Sequence, residues 1–274
     1  MELSRRAALK AFGIVGLGTA TGLSTYGYAF ERHRLGVTRA TVGVSGLPPG
    51  LDGLRIALVT DVHHSPMVPA GDIETAVRLT LAERPDLVVL GGDYVTWGDR
   101  RYVEPVAELL SPLHAPLGVF AILGNHDDDR DMPAALSRRG FTVLRDARTR
   151  VTMRGEAVEF VGIRYWTRRV QDLAKLLRGA RDPIFLLAHD PRRLTEAAEL
   201  DVPLVLSGHT HGGQVVVPGL GALAARKFPV LAGTAVRDNT SLFVSRGVGT
   251  VYVPFRINCP PEVALLTLRR KAGF

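Results

Sequence analysis

Residues that can bind metals follow five separate apolar segments of the chain. These residues are Asp61 and His63, Asp93, Asn125, His189, and the pair His209 and His211. Each set stands at the end of an apolar run that reads as a buried strand, where glycine or polar residues begin a turn. Carboxylate, imidazole and amide oxygen, with no thiolate among them, suit Mn²⁺, Fe or Zn²⁺.

Seven candidate ligands are too many for one metal ion, but two ions can share them. A carboxylate has two oxygens, so Asp93 can contact both ions at a separation of about 3.5–4 Å. Such a pair binds a bridging water, lowers the pKa of that water towards neutrality and holds the oxygens of a phosphoryl group. The pattern therefore predicts a two-metal hydrolytic site.

The segment SGHTHGGQ, residues 207–214, places two histidines one residue apart within a run of glycine. Ligands at positions i and i+2 of a loop can point towards neighbouring metal positions. Glycine lets the backbone turn sharply without a clash at Cβ, and the loop has three glycines for this purpose: Gly208, Gly212 and Gly213. We expect His209 to bind one metal and His211 the other.

Strand-like apolar runs alternate with segments of helical periodicity. Strands are expected over residues 54–60, 86–90, 118–123, 184–188 and 203–207, with short strands and a hairpin between residues 141 and 163. Helices are expected over residues 73–83, 103–110 and 171–177. In open α/β folds the loops at the carboxyl ends of the strands converge on one crevice. The candidate ligands can therefore meet in a single α/β domain with mixed or parallel sheets.

Composition sets the outer limits of this interpretation. A chain of 274 residues that is 46% hydrophobic can form one large domain with its own core. Its single cysteine, Cys259, excludes an intramolecular disulfide. The net charge of +7 suits an anionic substrate or an anionic membrane surface. No clear stripe of interleaved basic and aromatic residues is present, so no specific nucleic-acid partner is expected.

The first thirty residues read as a targeting segment rather than as part of the fold. The basic head Ser4–Lys10, SRRAALK, resembles the twin-arginine export signal, and the uncharged stretch Ala11–Phe30 follows it. Twenty uncharged residues can just span a bilayer, so this segment is a signal or an N-terminal membrane anchor. Both alternatives predict export by the twin-arginine machinery to the extracytoplasmic face of the cytoplasmic membrane, with the protein anchored or released.

Five motifs of this chain match, in order, those of the calcineurin-like metallophosphoesterases. They are DVH at 61–63, GD at 92–93, GNHD at 124–127, His189, and GHTH at 208–211. The resemblance covers residues 54–268 and implies a four-layer α-β-β-α sandwich of two mixed sheets flanked by helices. The longer form of the last motif and the segment PFRINCPPE, residues 254–262, look like the bacterial membrane-associated branch of that family.

The resemblance also implies a role for each site residue. Asp61, His63 and His211 would hold the first of two divalent ions (Mn, Fe or Zn), Asp93 would bridge, and Asn125, His189 and His209 would complete the second. His126 would be the general acid or a contact to the transition state, with Asp127 as its orienting partner.

The sequence thus predicts a metal-dependent hydrolase of a phosphodiester, phosphomonoester or pyrophosphate bond, acting on a membrane or envelope substrate. Related enzymes cleave the pyrophosphate of a lipid-linked nucleotide sugar, so lipid-linked esters are among the expected substrates. A nuclease of the same fold and a metal-binding module without turnover are the alternatives. The expected organisation is a leader (1–30), a lead-in segment (31–53), the catalytic domain (54–268) and a basic tail (269–274).

Overall fold

The computed structural model of the chain describes residue 18, residues 21–222 and residues 227–271. Its helices are α1 (residues 21–29), α2 (Ala70–Ala82), α3 (Val103–Leu110), α4 (Asp131–Arg138), α5 (Val170–Leu177) and α6 (Leu194–Glu199). Its strands are β1 (Gly36–Val44), β2 (Arg55–Val59), β3 (Leu87–Leu90), β4 (Val119–Ala121), β5 (Thr142–Val143), β6 (Ala147–Met153), β7 (Glu156–Gly162), β8 (Ile184–Leu187), β9 (Leu204–Ser207), β10 (Val216–Val217), β11 (Gly221–Ala222), β12 (Gly233–Arg237), β13 (Thr240–Val244) and β14 (Glu262–Arg270).

The strands form two mixed six-stranded sheets and a small hairpin of β10 and β11. The first sheet has the order β1-β14-β2-β3-β4-β5, and only the pairing of β14 with β2 is antiparallel. The second has the order β12-β13-β9-β8-β7-β6, with antiparallel pairs at its two edges. In each sheet the inner parallel strands therefore deliver their carboxyl ends to one edge, where the polar loops begin.

Three buried apolar clusters show that the architecture has four layers. One lies between the first sheet and helices α2, α3 and α4, and it includes Ile73, Val106 and Leu136. The second lies between the two sheets, and the third lies between the second sheet and helices α5 and α6. The predicted α-β-β-α sandwich is confirmed, and its cause is simple: strands that are apolar on both faces must be covered on both faces.

The first sheet extends beyond the domain bounds expected from the sequence. Residues 36–44, expected to be part of a lead-in, form β1, which pairs in parallel with β14 over nine residues. Arg269 and Arg270, expected to lie in a tail, are the last residues of β14. Val42 and Val44 of β1 are fully buried. The glycines and prolines of residues 46–53 are typical of a loop, so the strand that precedes them was not predicted.

The leader lies largely outside the described residues, and so does the twin-arginine motif at Ser4–Lys10. Within the part of the chain that the structure describes, no helix combines the length and the apolar character needed to cross a membrane.

The core between the sheets gives a prediction about stability. The ring of Phe160 lies between those of Phe120 and Phe185, with centroids 5.2 and 5.4 Å away, and it is fully buried. Phe160→Ala should lower the free energy of unfolding by about 3–5 kcal/mol, because it leaves a cavity between the sheets. In denaturant titrations Val236→Ala, at an exposed position of β12, should change that energy by less than about 0.5 kcal/mol. Equal losses in both variants would contradict this account of the core.

Candidate metal centre and active site

The candidate ligands meet at the shared edge of the two sheets. Each follows the carboxyl end of a strand: Asp61 and His63 follow β2, Asp93 follows β3, Asn125 follows β4, His189 follows β8, and His209 and His211 follow β9. Six of them form two groups, in each of which the ligand atoms lie within 4.8 Å of one another. The groups are Asp61, His63 and His211, and Asp93, His189 and His209.

Asp93 links the two groups. Its Oδ2 lies 3.1 Å from Nε2 of His189 in its own group and 3.5 Å from Nε2 of His63 in the other. Asp61 is also close to both groups, because its Oδ1 lies 3.4 Å from Nε2 of His211 and 3.8 Å from Nε2 of His189. The two groups are therefore one contiguous cluster of nitrogen and oxygen donors, as two neighbouring ions require.

The loops hold most of these residues in left-handed backbone conformations. Asp61, His63, Asp93, His209 and His211 have φ angles of 53°, 52°, 58°, 73° and 51°. Residues other than glycine seldom adopt these angles; each costs on the order of 1–3 kcal/mol and persists only where the surrounding structure enforces it. The strand ends therefore turn sharply at the ligands themselves.

Glycine is needed for two different reasons in the loop that carries His209 and His211. Gly212 and Gly213 have φ angles of 62° and 87°, as expected for a sharp turn. Gly208 is different, because a Cβ there would lie 2.3 Å from Oδ2 of Asp61 and 2.3 Å from Oγ1 of Thr60. The expected Cβ clash is present at Gly208, but its effect is to let the loop approach Asp61, whose carboxylate accepts the backbone N–H of His209 at 3.0 Å.

Burial keeps three of the four ligand imidazoles neutral. It lowers the pKa of His63 to about 3 and, together with the charge of His189, lowers that of His209 to about 3. The pKa of His211 is also lowered, by burial and then by His63. His189 behaves differently: burial alone would lower its pKa, but Asp93 and Asp61 outweigh burial and raise it to about 10. The cluster thus attracts positive charge where the carboxylates meet.

The carboxylates and Asn125 complete the fit to metal ions. Burial raises the pKa of Asp61 to about 6, although His189 opposes it, whereas for Asp93 the charge of His189 overcomes burial and lowers the pKa. His189 donates Nδ1–H to the carbonyl of Gly91 at 2.8 Å, so its Nε2 is left to face the cluster. Among the described residues, Oδ1 of Asn125 is buried without a hydrogen-bond partner. The donor set therefore suits two divalent cations.

His126 lies at the rim of this cluster, and its ring centroid is 5.0 Å from that of His63. The backbone N–H of Trp97 donates to its Nδ1 at 3.2 Å, so the neutral ring carries its proton on Nε2. Burial lowers the pKa of His126, although Asp93 opposes the shift. His126 is thus a neutral imidazole whose donor nitrogen is fixed by a backbone contact.

Asp127 does not orient His126 as expected. Its Oδ2 accepts the backbone N–H groups of Asp93 and Gly124, each at 2.8 Å, and its Oδ1 accepts that of Tyr94 at 2.7 Å. Burial, followed by the charge of Asp93, raises the pKa of Asp127 to about 7. Asp127 therefore joins the loops after β3 and β4 through their backbone N–H groups, whereas the partner of His126 Nδ1 is the backbone N–H of Trp97.

Arg256 is a residue of the site that sequence reasoning missed. It is fully buried, and its guanidinium donates to the carbonyls of Cys259 at 3.1 Å and Arg246 at 2.8 Å. It also donates to Gly249 at 2.5 Å, and the N–H of Gly249 in turn donates to the carbonyl of Asp61. Arg256 thus supports the loops behind Asp61. The motif PFRINCPPE contains it, but its backbone partners leave no sequence signal.

The family profile of the calcineurin-like phosphoesterases matches residues 54–213. The chain therefore belongs to the calcineurin-like phosphoesterases, a family of binuclear metal enzymes, and the two ligand groups provide for two ions. It is a hydrolase that acts on phosphoric ester bonds.

Relatives of similar length support this assignment. The chain is 31% identical over 281 residues to the metallophosphoesterase YkuE of Bacillus subtilis, with 98% of each chain covered. It is 31% identical over 284 residues to the phosphodiesterase YaeI of Escherichia coli, covering 97% of this chain and 99% of that one. The UDP-2,3-diacylglucosamine pyrophosphatase LpxG of Chlamydia trachomatis is 24% identical over 296 residues, covering 86% and 90% of the two chains.

A solved structure supports the fold alone. The sulfate thiohydrolase SoxB of Thermus thermophilus aligns with a TM-score of 0.50 at 12% identity, covering 82% of this chain and 58% of that one.

The close approach of Gly208 to Asp61 predicts the effect of one added methyl group. Gly208→Ala should reduce the number of metal ions bound per chain, because its Cβ must displace the carboxylate of Asp61. Gly71→Ala is the matched control, because a Cβ at that position of α2 meets nothing within 4 Å. Elemental analysis of the purified variants measures the difference, and full metal content in Gly208→Ala would contradict the packing described for this loop.

Because the guanidinium of Arg256 is buried among backbone carbonyls, we expect a loss of stability even when lysine preserves its charge. Arg256→Lys should lower the free energy of unfolding by about 3 kcal/mol, because one ammonium cannot satisfy carbonyls on several loops. Arg39→Lys changes a side chain that is 65% exposed and should cost less than about 0.5 kcal/mol. Thermal unfolding measures both effects. An Arg256→Lys variant as stable as Arg39→Lys would show that the carbonyl contacts do not matter.

Proposed function

We propose that the protein hydrolyses a phosphodiester, phosphomonoester or pyrophosphate bond at two divalent ions that share Asp93. The assignment gives Asp61, His63 and His211 to one ion, and Asn125, His189 and His209 to the other. The observation that carries this proposal is the position of Asp93 Oδ2, which lies 3.1 Å from His189 of one ligand group and 3.5 Å from His63 of the other.

Two such ions, when bound, would supply an activated water and would hold the phosphoryl oxygens of the substrate. The chain's own contribution is orientation and hydrogen bonding. His126 is the proposed contact to the transition state: its Nε2–H donates a hydrogen bond to the negative charge that develops on oxygen as the phosphorus–oxygen bond breaks. Support comes from the Trp97 N–H, which occupies Nδ1 and so places the proton of the neutral ring on Nε2. Asp127 acts indirectly by holding the loops that carry Asp93 and Asn125.

We also propose that the enzyme is exported through the twin-arginine route and acts at the extracytoplasmic face of the membrane. The basic head with Arg5 and Arg6 supports the route, and a contact between helix α1 and the domain supports the position: Arg256 donates its backbone N–H to the carbonyl of Gly27 at 3.3 Å. Glu31 is buried and accepts the N–H of Cys259 at 2.6 Å. Because Arg256 lies behind the ligand loops, a leader held in a membrane would keep the site close to that surface.

The likeness to LpxG favours a lipid-linked ester among the substrates.

Hydrolysis by the full chain tests the catalytic proposal. With Mn²⁺ supplied, the detergent-solubilised protein should release p-nitrophenol from p-nitrophenyl phosphate esters. The rates are compared between a phosphomonoester and a phosphodiester. Asp93→Asn should lower kcat at least a thousandfold, because it removes the carboxylate shared by both ligand groups. Asp182→Asn is the control, because it makes the same chemical change at a carboxylate that pairs with Arg150 far from the ligands.

The outcomes separate the candidate functions. Unchanged turnover in Asp93→Asn would refute the two-metal proposal. Two bound ions without turnover on any ester would favour a metal-binding module, and cleavage of single-stranded DNA at physiological salt would favour a nuclease.

Export is tested with a change that preserves charge. Replacing Arg5 and Arg6 together by lysine should keep the protein inside the cell, because the export signal depends on the two arginines rather than on their charge. The matched control replaces Arg32 and Arg34 together by lysine, and this variant should be exported like the wild type. Protease accessibility in intact spheroplasts measures the location. Equal exposure of the wild type and the Arg5/Arg6 variant would contradict the twin-arginine route.

A further inference from the structure

An apolar groove of about 360 Å³ opens beside the loop that carries the two histidines. His209 and His211 form part of its lining, so the groove is continuous with both ligand groups. Val251, Val253 and Phe228 supply apolar lining, and the ring of Phe228 meets that of His209 edge-on at 5.2 Å. Its volume lies near the lower limit for pockets that bind small ligands.

Gln214 follows the loop that carries His209 and His211, and it forms one wall of this groove. Its side-chain amide donates to the carbonyls of Val251 at 3.0 Å and Val253 at 2.9 Å, and its Oε1 accepts the N–H of Val251 at 3.0 Å. The side chain is buried, and its backbone is left-handed at φ 56°. Gln214 therefore fixes residues 251–253 against the metal-binding loop, so the groove is formed before a ligand arrives.

The lining favours hydrocarbon over a hydrogen-bonding ligand. The hydroxyl of Thr210 already donates to the carbonyl of Leu231 at 2.6 Å, and the amide of Gln214 is engaged with the backbone. Hydrocarbon surface gains free energy when it leaves water for such a lining. Lys227 adds an exposed cation at the groove, with its ammonium 5.2 Å from the ring of Phe228. An anionic molecule with an apolar chain is complementary to both features.

We propose that this groove binds an alkyl or acyl chain attached to the phosphate ester that the site hydrolyses. The proposal rests on the proposed function, because it requires the phosphoryl group to lie at the ligands His209 and His211. It makes the protein selective for amphiphilic phosphate esters, with selectivity set by Val251, Val253 and Phe228 and by the clamp of Gln214 on their loop.

A series of p-nitrophenyl alkyl phosphodiesters with methyl, butyl and octyl chains tests the proposal, below their micelle concentrations. A fully buried methylene is worth about 0.8 kcal/mol, or roughly fourfold in affinity. We expect kcat/KM of the Mn²⁺-loaded full chain to rise at least tenfold from methyl to butyl, mainly through a lower KM. The octyl ester should be hydrolysed more efficiently still.

A charge in the groove should remove this dependence on chain length. Val253 is 38% exposed, so Val253→Asp places a carboxylate on the groove wall without burying it in the core. The three esters should then have kcat/KM values within about threefold of one another. Val236→Asp, at a position 56% exposed in β12 and outside the groove, is the matched control and should keep the wild-type rise.

A second measurement does not depend on turnover or on the variant folding. Calorimetry on the metal-loaded wild type should show octylphosphonate binding at least tenfold more tightly than methylphosphonate. Equal affinity, or a flat chain-length series with normal hydrolysis of the methyl ester, would overturn the groove proposal and leave the proposed function intact. Loss of all hydrolysis with the affinity difference preserved would overturn the proposed function alone.

Discussion

Two carboxylates, Asp61 and Asp93, are buried side by side at the edge of both sheets, and they are 0% and 1% exposed. Buried charge is costly unless it is paired or coordinates a metal. The neighbours that the fold supplies are imidazoles, three of which burial keeps neutral, while the fourth, His189, gains a proton in response to the carboxylates. The arrangement is complementary to cations, and the surrounding structure is organised to keep it so.

The rigid part of that structure is the pair of sheets, and the strain lies in the loops. Parallel strands of each sheet end at one edge, and an apolar cluster between the sheets keeps the two edges together. Five of the seven candidate ligands have left-handed backbone angles, and contacts from Asp127 and Arg256 hold the loops in those conformations. Because each contact joins two loops, moving one ligand would disturb residues of both groups.

The strands that end at the candidate ligands are predicted from local patterns, and the four layers are implied by the resemblance to the family. Apolar runs that end in Asp, Asn or His identify strand ends, and their order identifies the family. Strand β1 was missed because its partner β14 lies more than two hundred residues away and nothing local marks the pairing. The partners of Asp127 and Arg256 were missed for a related reason: both bind backbone groups, which carry no residue-type signal.

If two cations share Asp93, anomalous X-ray scattering from crystals grown with Mn²⁺ should reveal both of them. We expect two peaks roughly 3.5–4 Å apart. One should be contacted by the group of Asp61 and the other by the group of His189, with Asp93 touching both. A single peak, or two peaks of which Asp93 contacts only one, would contradict that sharing.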